Sequence, residues 1–159
     1  MKSFAALYAR VDETTRTSLK VAALVDYFRT ASDDDKLWTI ALFTGRRPQR
    51  TITAGKLREW ASEIAQIEPW LFEESYSIVG DLAETISLVL PDPSQHQNQS
   101  LTHWITYIKS LSTLDDEGRK ASILAAWDSL PDVQRFLFTK LLTGGFRVGV
   151  SAKLITKAL

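Results

Sequence analysis

The sequence predicts an all-α fold, a bundle of about nine or ten helices, and three observations support it. Apolar residues recur at helical spacing along almost the whole chain, as in the runs that begin at Phe4 and Val21. Helix-starting and helix-ending residues separate these runs: Ser32 precedes three aspartates, and Gly45 stands where a helix-ending glycine belongs. The only strand-like run, residues 146–150, is too short and too rich in glycine to form a strand.

Six predicted helices precede residue 91. Their apolar faces begin at Phe4, Val21, Leu37, Leu57, Trp70 and Leu82. Pro69 suits the first position of the fifth helix, because proline lacks the N–H group that this position leaves unpaired. Asp81 can cap the sixth helix, which we expect to run from residue 82 to residue 90.

A polar stretch at residues 91–100 is the longest predicted loop, and the helical pattern resumes at Leu101. Further helices are predicted around Ile123 and after Pro131, and Ser151 can cap the last one. The length of 159 residues is that of one ordinary domain. Because the last helical pattern stops without a Gly, a Pro or a polar tail, we expect residues 1–159 to be a single domain of a longer protein.

Composition excludes several classes of protein. The chain has no cysteine, so a disulfide, a thiolate metal site and a cysteine nucleophile are impossible. No apolar stretch approaches the roughly 18 residues of a membrane span, and the N-terminus lacks the apolar run of a signal peptide. We therefore expect a cytoplasmic protein without a membrane partner. His96 and His103 are the only histidines, and their spacing suggests no metal site.

The net charge of zero conceals a strong segregation of charge along the chain. Residues 44–58 carry five Lys or Arg and no acid, and residues 133–159 carry another five and no acid. Residues 59–108 carry eight acids and no Lys or Arg. Charges separated in this way give a dipolar surface, so one binding face can be strongly positive while the whole chain stays neutral.

A weak internal repeat relates two predicted helical hairpins. Residues 20–27, followed by Leu-Phe-Thr-Gly at 42–45, resemble residues 120–127, followed by Leu-Leu-Thr-Gly at 141–144. Two matched loops could grip the two strands of a DNA duplex, whose backbone has an approximate two-fold axis. Similar helix pairs are common in all-α proteins, so a chance likeness is the alternative.

The first segment that could bind a ligand is a basic turn after a helix. Its candidate residues are Thr44, Gly45, Arg46, Arg47 and Arg50. Glycine lets the backbone approach a ligand closely, and the planar guanidinium groups match phosphate oxygens. The alternative is a solvated basic loop that does no more than follow a helix end.

The second candidate segment is rich in glycine and precedes the last helix. Its candidate residues are Thr143, Gly144, Gly145, Arg147, Gly149, Ser151 and Lys153. Helix N-termini present free N–H groups that favour anions, so this segment could cradle a backbone phosphate. It lacks the residue order of a P-loop. The alternative is a connection between helices with a serine cap.

A third segment, residues 70–84, contains paired carboxylates but no convincing catalytic set. Glu73 and Glu74 are adjacent on a predicted helix and point apart, which favours a solvated face over acid–base chemistry. Asp81 followed by Glu84 resembles a helix cap, a structural role. No combination of Ser, His and Asp residues suggests a nucleophile.

Taken together, these segments resemble the N-terminal domain of bacterial ATP-dependent DNA ligases, and the resemblance covers essentially the whole chain. The matching stretches are Phe-x-x-Leu-Tyr-x-x-Val-Asp at 4–12, Thr-x-Thr-x-x-Lys at 15–20, Thr-Gly-Arg-Arg at 44–47, Trp-Leu-Phe-Glu-Glu-x-Tyr-x-x-Val-Gly-Asp-Leu-Ala-Glu-Thr at 70–85 and Phe-Arg-Val-Gly-Val-Ser-x-Lys-Leu at 146–154. Their order and spacing are far more specific than any one stretch alone.

The resemblance implies a DNA-binding domain built from two pseudo-symmetric helical hairpins, which binds the minor groove around a nick and helps to encircle the duplex. It implies DNA contacts at residues 44–47, at Gly80 and at residues 143–153, with Arg50 and Lys20 as weaker candidates. Partners would be double-stranded or nicked DNA and the catalytic domains of the parent chain. We expect a monomer associated with the bacterial nucleoid.

The resemblance also implies that this fragment is not itself an enzyme. The ligase nucleophile is a lysine in a Lys-x-Asp-Gly motif, and that motif does not occur here. We expect no cofactor in the fragment, since ATP and Mg²⁺ would act in the adenylation domain of the parent enzyme. The competing hypothesis is a protein-interaction module, because stacked helical hairpins also form adaptor surfaces.

Overall fold

The computed structural model describes residues 1–46, 48–144, 146 and 148–159, and within these ranges it contains ten α-helices and no strand. α1 spans Lys2–Asp12, α2 Thr17–Thr30, α3 Asp33–Phe43, α4 Ala54–Ala65 and α5 Pro69–Val79. α6 spans Leu82–Val89, α7 Leu101–Ser110, α8 Asp116–Trp127, α9 Asp132–Thr143 and α10 Ala152–Ala158, and a 3₁₀ turn, Leu111–Thr113, follows α7. The predicted all-α class is confirmed.

The chain folds into two compact units. Unit 1 comprises residues 1–47, 98–106 and 145–159, and unit 2 comprises residues 48–97 and 107–144. Each unit is therefore assembled from segments that are distant in sequence. That residues 1–159 form a single domain stays a prediction.

In unit 1, α2 packs against both α1 and α10. Aromatic rings fill its interior: Phe4 lies 5.8 Å from Phe43 and 6.4 Å from Tyr27, measured between ring centroids. These three side chains are almost completely buried. Large aromatic surfaces removed from water stabilise the unit, and the tilted and edge-on ring contacts add to that burial.

In unit 2, α6 packs against α9, and α4 and α5 pack beside α6. The central apolar residues are fully buried, among them Leu57, Phe72, Ile86, Leu137 and Phe138. On α6 the buried positions include Leu82 and Ile86, four residues apart, so one stripe of the helix faces the core. Ile78 and Leu88, by contrast, are 80% and 67% exposed.

Each unit contains one hairpin of the sequence repeat. In both hairpins, a hydrogen bond between side chains at equivalent positions joins the two helices. In the α2–α3 hairpin the hydroxyl groups of Tyr27 and Thr39 are 2.9 Å apart. In the α8–α9 hairpin the indole N–H of Trp127 donates to Thr139 Oγ1 at 3.0 Å. Each threonine in turn donates to the backbone carbonyl four residues earlier, at 2.8 and 2.9 Å. This equivalence supports a real repeat over a chance likeness.

The predicted helix ends agree closely with the structure. The side chains of Ser32, Asp81 and Ser151 each accept a hydrogen bond from the backbone three residues later, as N-caps do. Pro69 occupies the first position of α5. α2 begins at Thr17, one turn before the predicted apolar run, because a helix can extend beyond its apolar face. None of the helices in the described ranges is long and apolar enough to cross a membrane.

Candidate nucleic-acid interface

The C-terminus of α3 ends in a glycine turn that leaves a basic side chain exposed. Gly45 adopts φ +97°, and its N–H donates to the carbonyl of Leu42 while the N–H of Arg46 donates to that of Ala41. This pair of bonds forms a Schellman motif, which requires a left-handed residue and so favours glycine. Thr44 donates its hydroxyl proton back to the helix, to Ile40 O at 2.8 Å. Arg46 is exposed just beyond the turn.

Phe146 anchors the glycine-rich segment in the aromatic interior of unit 1. Its ring stacks on Phe4 and Phe43, with centroids 5.9 and 6.1 Å away, and meets Tyr8 edge-on at 5.7 Å. Since a ring held on three sides has little freedom, these contacts fix the Phe146 side chain against α1 and α3.

The turn at Gly149 is fixed by its neighbours and by a lysine from α2. Gly149 adopts φ +60°, and the flanking Val148 and Val150 are buried. Lys20 Nζ donates to the carbonyl of Gly149 at 2.9 Å. Two apolar anchors and one charge-assisted hydrogen bond thus hold a backbone conformation that other residues rarely adopt.

α10 begins directly after this turn. Ser151 Oγ accepts a hydrogen bond from Leu154 N at 3.2 Å, so the serine caps the helix as predicted. Ser151 and Lys153 are both exposed. The Ser151 hydroxyl oxygen therefore already accepts a hydrogen bond from the helix that it caps. The Lys153 side chain lies on the exposed side of α10.

Parts of the two predicted ligand-binding segments come together in unit 1. Thr44 and Gly45 from the end of α3, and residues 148–152 from the glycine-rich segment, line one groove of about 590 Å³. Phe43 and Phe146 complete its lining. Sequence spacing alone gives no reason for two segments a hundred residues apart to share a groove. The shared aromatic cluster beneath them provides that reason.

Thr143 and Gly144 lie in unit 2, at the C-terminus of α9. Gly144 adopts φ +77° and ends the helix. The carbonyl of Thr143 accepts a hydrogen bond from Arg50 Nη2 at 2.6 Å. Carbonyl groups in the last turn of a helix have no partner within it, so an arginine at this position satisfies one of them and opposes the helix dipole.

Gly80 also lies in unit 2, in an exposed left-handed turn with φ +84° at the end of α5. The next residue, Asp81, caps α6 and forms an ion pair with Lys140 of α9, whose side chain is only 14% exposed. Lys140 is one turn before Thr143. The ion pair therefore holds the Gly80 turn against the C-terminal half of α9.

The structure divides the predicted DNA-contacting residues between the units. Unit 1 contains Lys20, Thr44, Gly45, Arg46, Gly149, Ser151 and Lys153, and unit 2 contains Arg50, Gly80, Thr143 and Gly144. The predicted contacts at Arg47, Gly145 and Arg147 lie outside the described residues. Lys20 and Arg50, the weaker candidates for DNA contacts, both donate to backbone carbonyls.

Two residues that shape the candidate surface were not identified from the sequence. Lys140 gave no signal, because its partner Asp81 is 59 residues away in the chain. Phe146 did carry a signal, since an aromatic side chain between Gly145 and Arg147 has no adjacent apolar residue in sequence and must find one elsewhere.

In the described part of the chain, no group of three or more His, Asp or Glu side chains could hold a metal ion. Glu73 lies 3.5 Å from Arg58 in an exposed ion pair, and Glu74 is exposed, in keeping with the solvated face predicted for them. Carboxylates in such surroundings give no acid–base pair.

Charge differs sharply between the units. By sequence, unit 1 carries eleven Lys or Arg and six Asp or Glu, a net charge of +5. Unit 2 carries eight Lys or Arg and thirteen Asp or Glu, a net charge of −5. The neutral chain is therefore composed of a basic unit, which contains the groove, and an acidic unit.

The described residues thus form an all-α domain with repeated hairpins, glycine turns at several helix ends and a groove within the unit of positive net charge. The family model described as "DNA ligase N terminus" matches residues 1–159, which is the whole chain. The chain therefore belongs to this family and is an N-terminal domain of an ATP-dependent DNA ligase. A search of curated proteins finds no match to the chain. Its bacterial origin stays a prediction.

Proposed function

We propose that this domain binds duplex DNA, nicked or intact, without sequence specificity, through backbone phosphates and the minor groove. The observation that carries the proposal is the groove of unit 1, where the Gly45 turn and the Gly149 turn lie together. Both turns have positive φ, and no atom lies within 4 Å of the position that a Cβ would take at Gly45. Open backbone of this kind lets a phosphate approach closely.

Cations flank the groove. Arg46 and Lys153 are exposed, and each is adjacent in sequence to a residue that lines it. An arginine offers a phosphate two parallel hydrogen bonds, and a lysine offers a mobile point charge. Contacts to phosphate and sugar orient a protein on the duplex but carry no sequence information, which suits an enzyme that must act at any nick.

In the parent ligase this domain would hold the nicked duplex while other domains carry out the chemistry. The parent's lysine would accept AMP from ATP with Mg²⁺, the AMP would pass to the 5′-phosphate, and the 3′-hydroxyl would then attack. This domain contributes orientation, which lowers the barrier without a reacting group of its own. Its partners are DNA and the catalytic domains of the same chain.

The test is the salt dependence of DNA binding. We expect weak binding to intact and nicked duplexes of unrelated sequence, with a log–log slope against salt of about −4 to −7 for roughly four to eight neutralised phosphates. Fluorescence anisotropy between low and moderate salt measures it. A dissociation constant that stays the same across that range would contradict the proposal.

A charge reversal locates the interface. Arg46→Glu should weaken binding about tenfold or more, because hydrogen bonds to charged groups are among the strongest. Lys2→Glu, on the exposed side of α1, makes the same change in net charge within unit 1 and is the control. Equal losses in the two folded variants would remove the Gly45 turn from the site.

One observation favours a second candidate function, a protein-interaction surface on unit 2. Trp70 and Ile78 of α5 are 67% and 80% exposed in a unit with a net charge of −5. Exposed apolar side chains among carboxylates fit a basic protein better than DNA. Binding to a basic protein, without binding to DNA, would favour this candidate.

A further inference from the structure

We propose that Lys20 and Arg50 act on DNA binding as positioning residues. Each holds a glycine turn in place by donating to a backbone carbonyl, and neither makes its contribution through a phosphate contact. The inference rests on the proposed function and adds to it an account of how the turns keep their conformation.

The Lys20 contact is close and specific. Lys20 lies in the first turn of α2 and is half-buried, with Nζ 2.9 Å from the carbonyl oxygen of Gly149. A Cβ built on Gly149 would lie 3.2 Å from the same Nζ atom. The ammonium group is therefore packed against the turn itself, where no side chain intervenes.

The consequence for the turn is a fixed peptide plane. The carbonyl of Gly149 belongs to the same peptide group as the N–H of Val150, and Val150 lines the groove. A cation on the carbonyl fixes the direction of that peptide group and polarises it, which strengthens the amide as a donor. Val148 and Val150 are buried on either side, so the carbonyl bond supplies the polar restraint that apolar packing lacks.

Arg50 acts in the same way in unit 2. Its Nη2 atom lies 2.6 Å from the carbonyl of Thr143, the residue before Gly144. That carbonyl belongs to the last residue of α9 and accepts no hydrogen bond from an N–H group of the helix. The arginine therefore fixes the end of α9 at the point where Gly144 turns the chain with φ +77°.

Salt dependence distinguishes a positioning residue from a phosphate contact. Each phosphate contact contributes roughly 0.9 to the log–log slope, so its removal lowers the slope by about that amount. Loss of a positioning residue weakens binding at every salt concentration and leaves the slope unchanged, because the number of neutralised phosphates stays the same.

The first experiment compares Lys20→Met with Lys2→Met in the 159-residue chain. Both remove one positive charge from unit 1, so their general electrostatic effects are matched. We expect Lys20→Met to weaken binding to a nicked duplex about fivefold to tenfold more than the control, the order expected for one charge-assisted hydrogen bond, with equal slopes. Lys20→Arg, which keeps a donor, should restore most of the affinity.

The equivalent pair in unit 2 is Arg50→Met and Arg58→Met, both of which remove one arginine from that unit. The same pattern is expected. For either residue, a slope that falls by about 0.9 relative to its control, or an affinity equal to that of the control, would overturn the assignment. Circular dichroism melts identify any variant that does not fold, and Lys20→Gln and Arg50→Gln then take its place.

A measurement without DNA keeps this inference separate from the proposed function. We expect an NMR coupling across the hydrogen bond between Lys20 ¹⁵Nζ and the Gly149 carbonyl carbon, and faster amide exchange at Val150 in Lys20→Met. The wild-type chain could fail to bind DNA and still show the coupling, with faster Val150 exchange in Lys20→Met. In that case the proposed function fails, and the restraint of Lys20 on the Gly149 turn stands. Absence of the coupling together with unchanged exchange would overturn the inference.

Discussion

At the scale of single residues, a buried threonine joins the two helices of each hairpin. It is Thr39 in the α2–α3 hairpin and Thr139 in the α8–α9 hairpin. Both are fully buried, and each hydroxyl proton goes to a backbone carbonyl of its own helix. The Thr39 hydroxyl is shared between that carbonyl and the Tyr27 hydroxyl oxygen, whereas Thr139 Oγ1 accepts the Trp127 indole N–H. Buried polar atoms are costly when unpaired, so each bond specifies how its two helices meet.

We expect Thr139→Val to lower the free energy of unfolding by about 2 kcal/mol, because it leaves the Trp127 indole N–H without its acceptor. Urea unfolding of Thr139→Val, Trp127→Phe and the double variant measures the coupling between the two side chains. The double variant should lose clearly less than the two single losses combined. Strictly additive losses would mean that the bond does not contribute.

The same residues give unit 1 a distinctive response to alkaline pH. Burial raises the pKa of Tyr27 to about 12; the hydrogen bond with Thr39 opposes the shift, and the charge of Asp35 adds to it. Since the folded pKa exceeds the unfolded value of about 10, the contribution to stability is complete below pH 10 and is lost as pH rises towards 12.

Over that window the folded state should lose about 3 kcal/mol through Tyr27. Denaturant unfolding at a series of pH values measures the loss, with Tyr27→Phe as the comparison. The variant keeps Tyr107, whose pKa is also raised by burial, so the difference between the two curves isolates Tyr27. Parallel curves between pH 10 and 12 would contradict the assignment.

At the scale of helices, the caps show what the sequence can and cannot predict. Ser32, Asp81 and Ser151 were predicted as N-caps because a cap and its N–H partner are three residues apart. Asp35 was predicted only as a favourable acid in the first turn of its own helix. In the structure its carboxylate accepts from Thr102 N at 2.9 Å and from Thr102 Oγ1 at 2.6 Å, 67 residues away. No local pattern encodes such a partner.

Asp35 therefore joins α3 to the beginning of α7. Asp35→Ala should lower the melting temperature through a loss of about 2 kcal/mol, since it removes an acceptor from two donors at a helix N-terminus. Asp34→Ala is the matched control: Asp34 is exposed in the same first turn, and its loss should cost only a few tenths of a kcal/mol. Equal melting temperatures for the two variants would show that α7 does not depend on the carboxylate.

At the scale of the whole molecule, the sequence predicted the helical class and two candidate ligand-binding segments. It did not predict that parts of these two segments line one groove. Gly45 and Gly149 were identified by residue type and by their neighbours. Their meeting in one groove depends on Phe43 and Phe146, which stack across a hundred residues of chain. The contact between Lys20 and the Gly149 carbonyl could not be predicted from the sequence for the same reason. Long-range packing decides which groups a flexible side chain can reach.

The separation of charge provides a test of which unit faces DNA. Glu13→Gln with Asp34→Asn raises the charge of unit 1 by two, and Glu68→Gln with Glu74→Gln does the same for unit 2. At low salt the first pair should strengthen DNA binding several-fold and the second should change it little, because exposed charges act over about 10 Å at 0.1 M salt. The opposite ranking, measured by anisotropy, would place the interface on unit 2.

The assembly of unit 1 from three separate segments has a consequence for the order of folding. α2 lacks one of its two packing partners until α10 exists, and the bond from Lys20 to Gly149 closes a span of 129 residues. A chain that emerges from the ribosome N-terminus first has all of unit 2 after residue 144, whereas unit 1 waits for the last helix. Contacts between distant segments form slowly, so we expect refolding to show unit 2 protected first. The groove of unit 1 would then be the last feature to form, because it needs the segment that leads into α10.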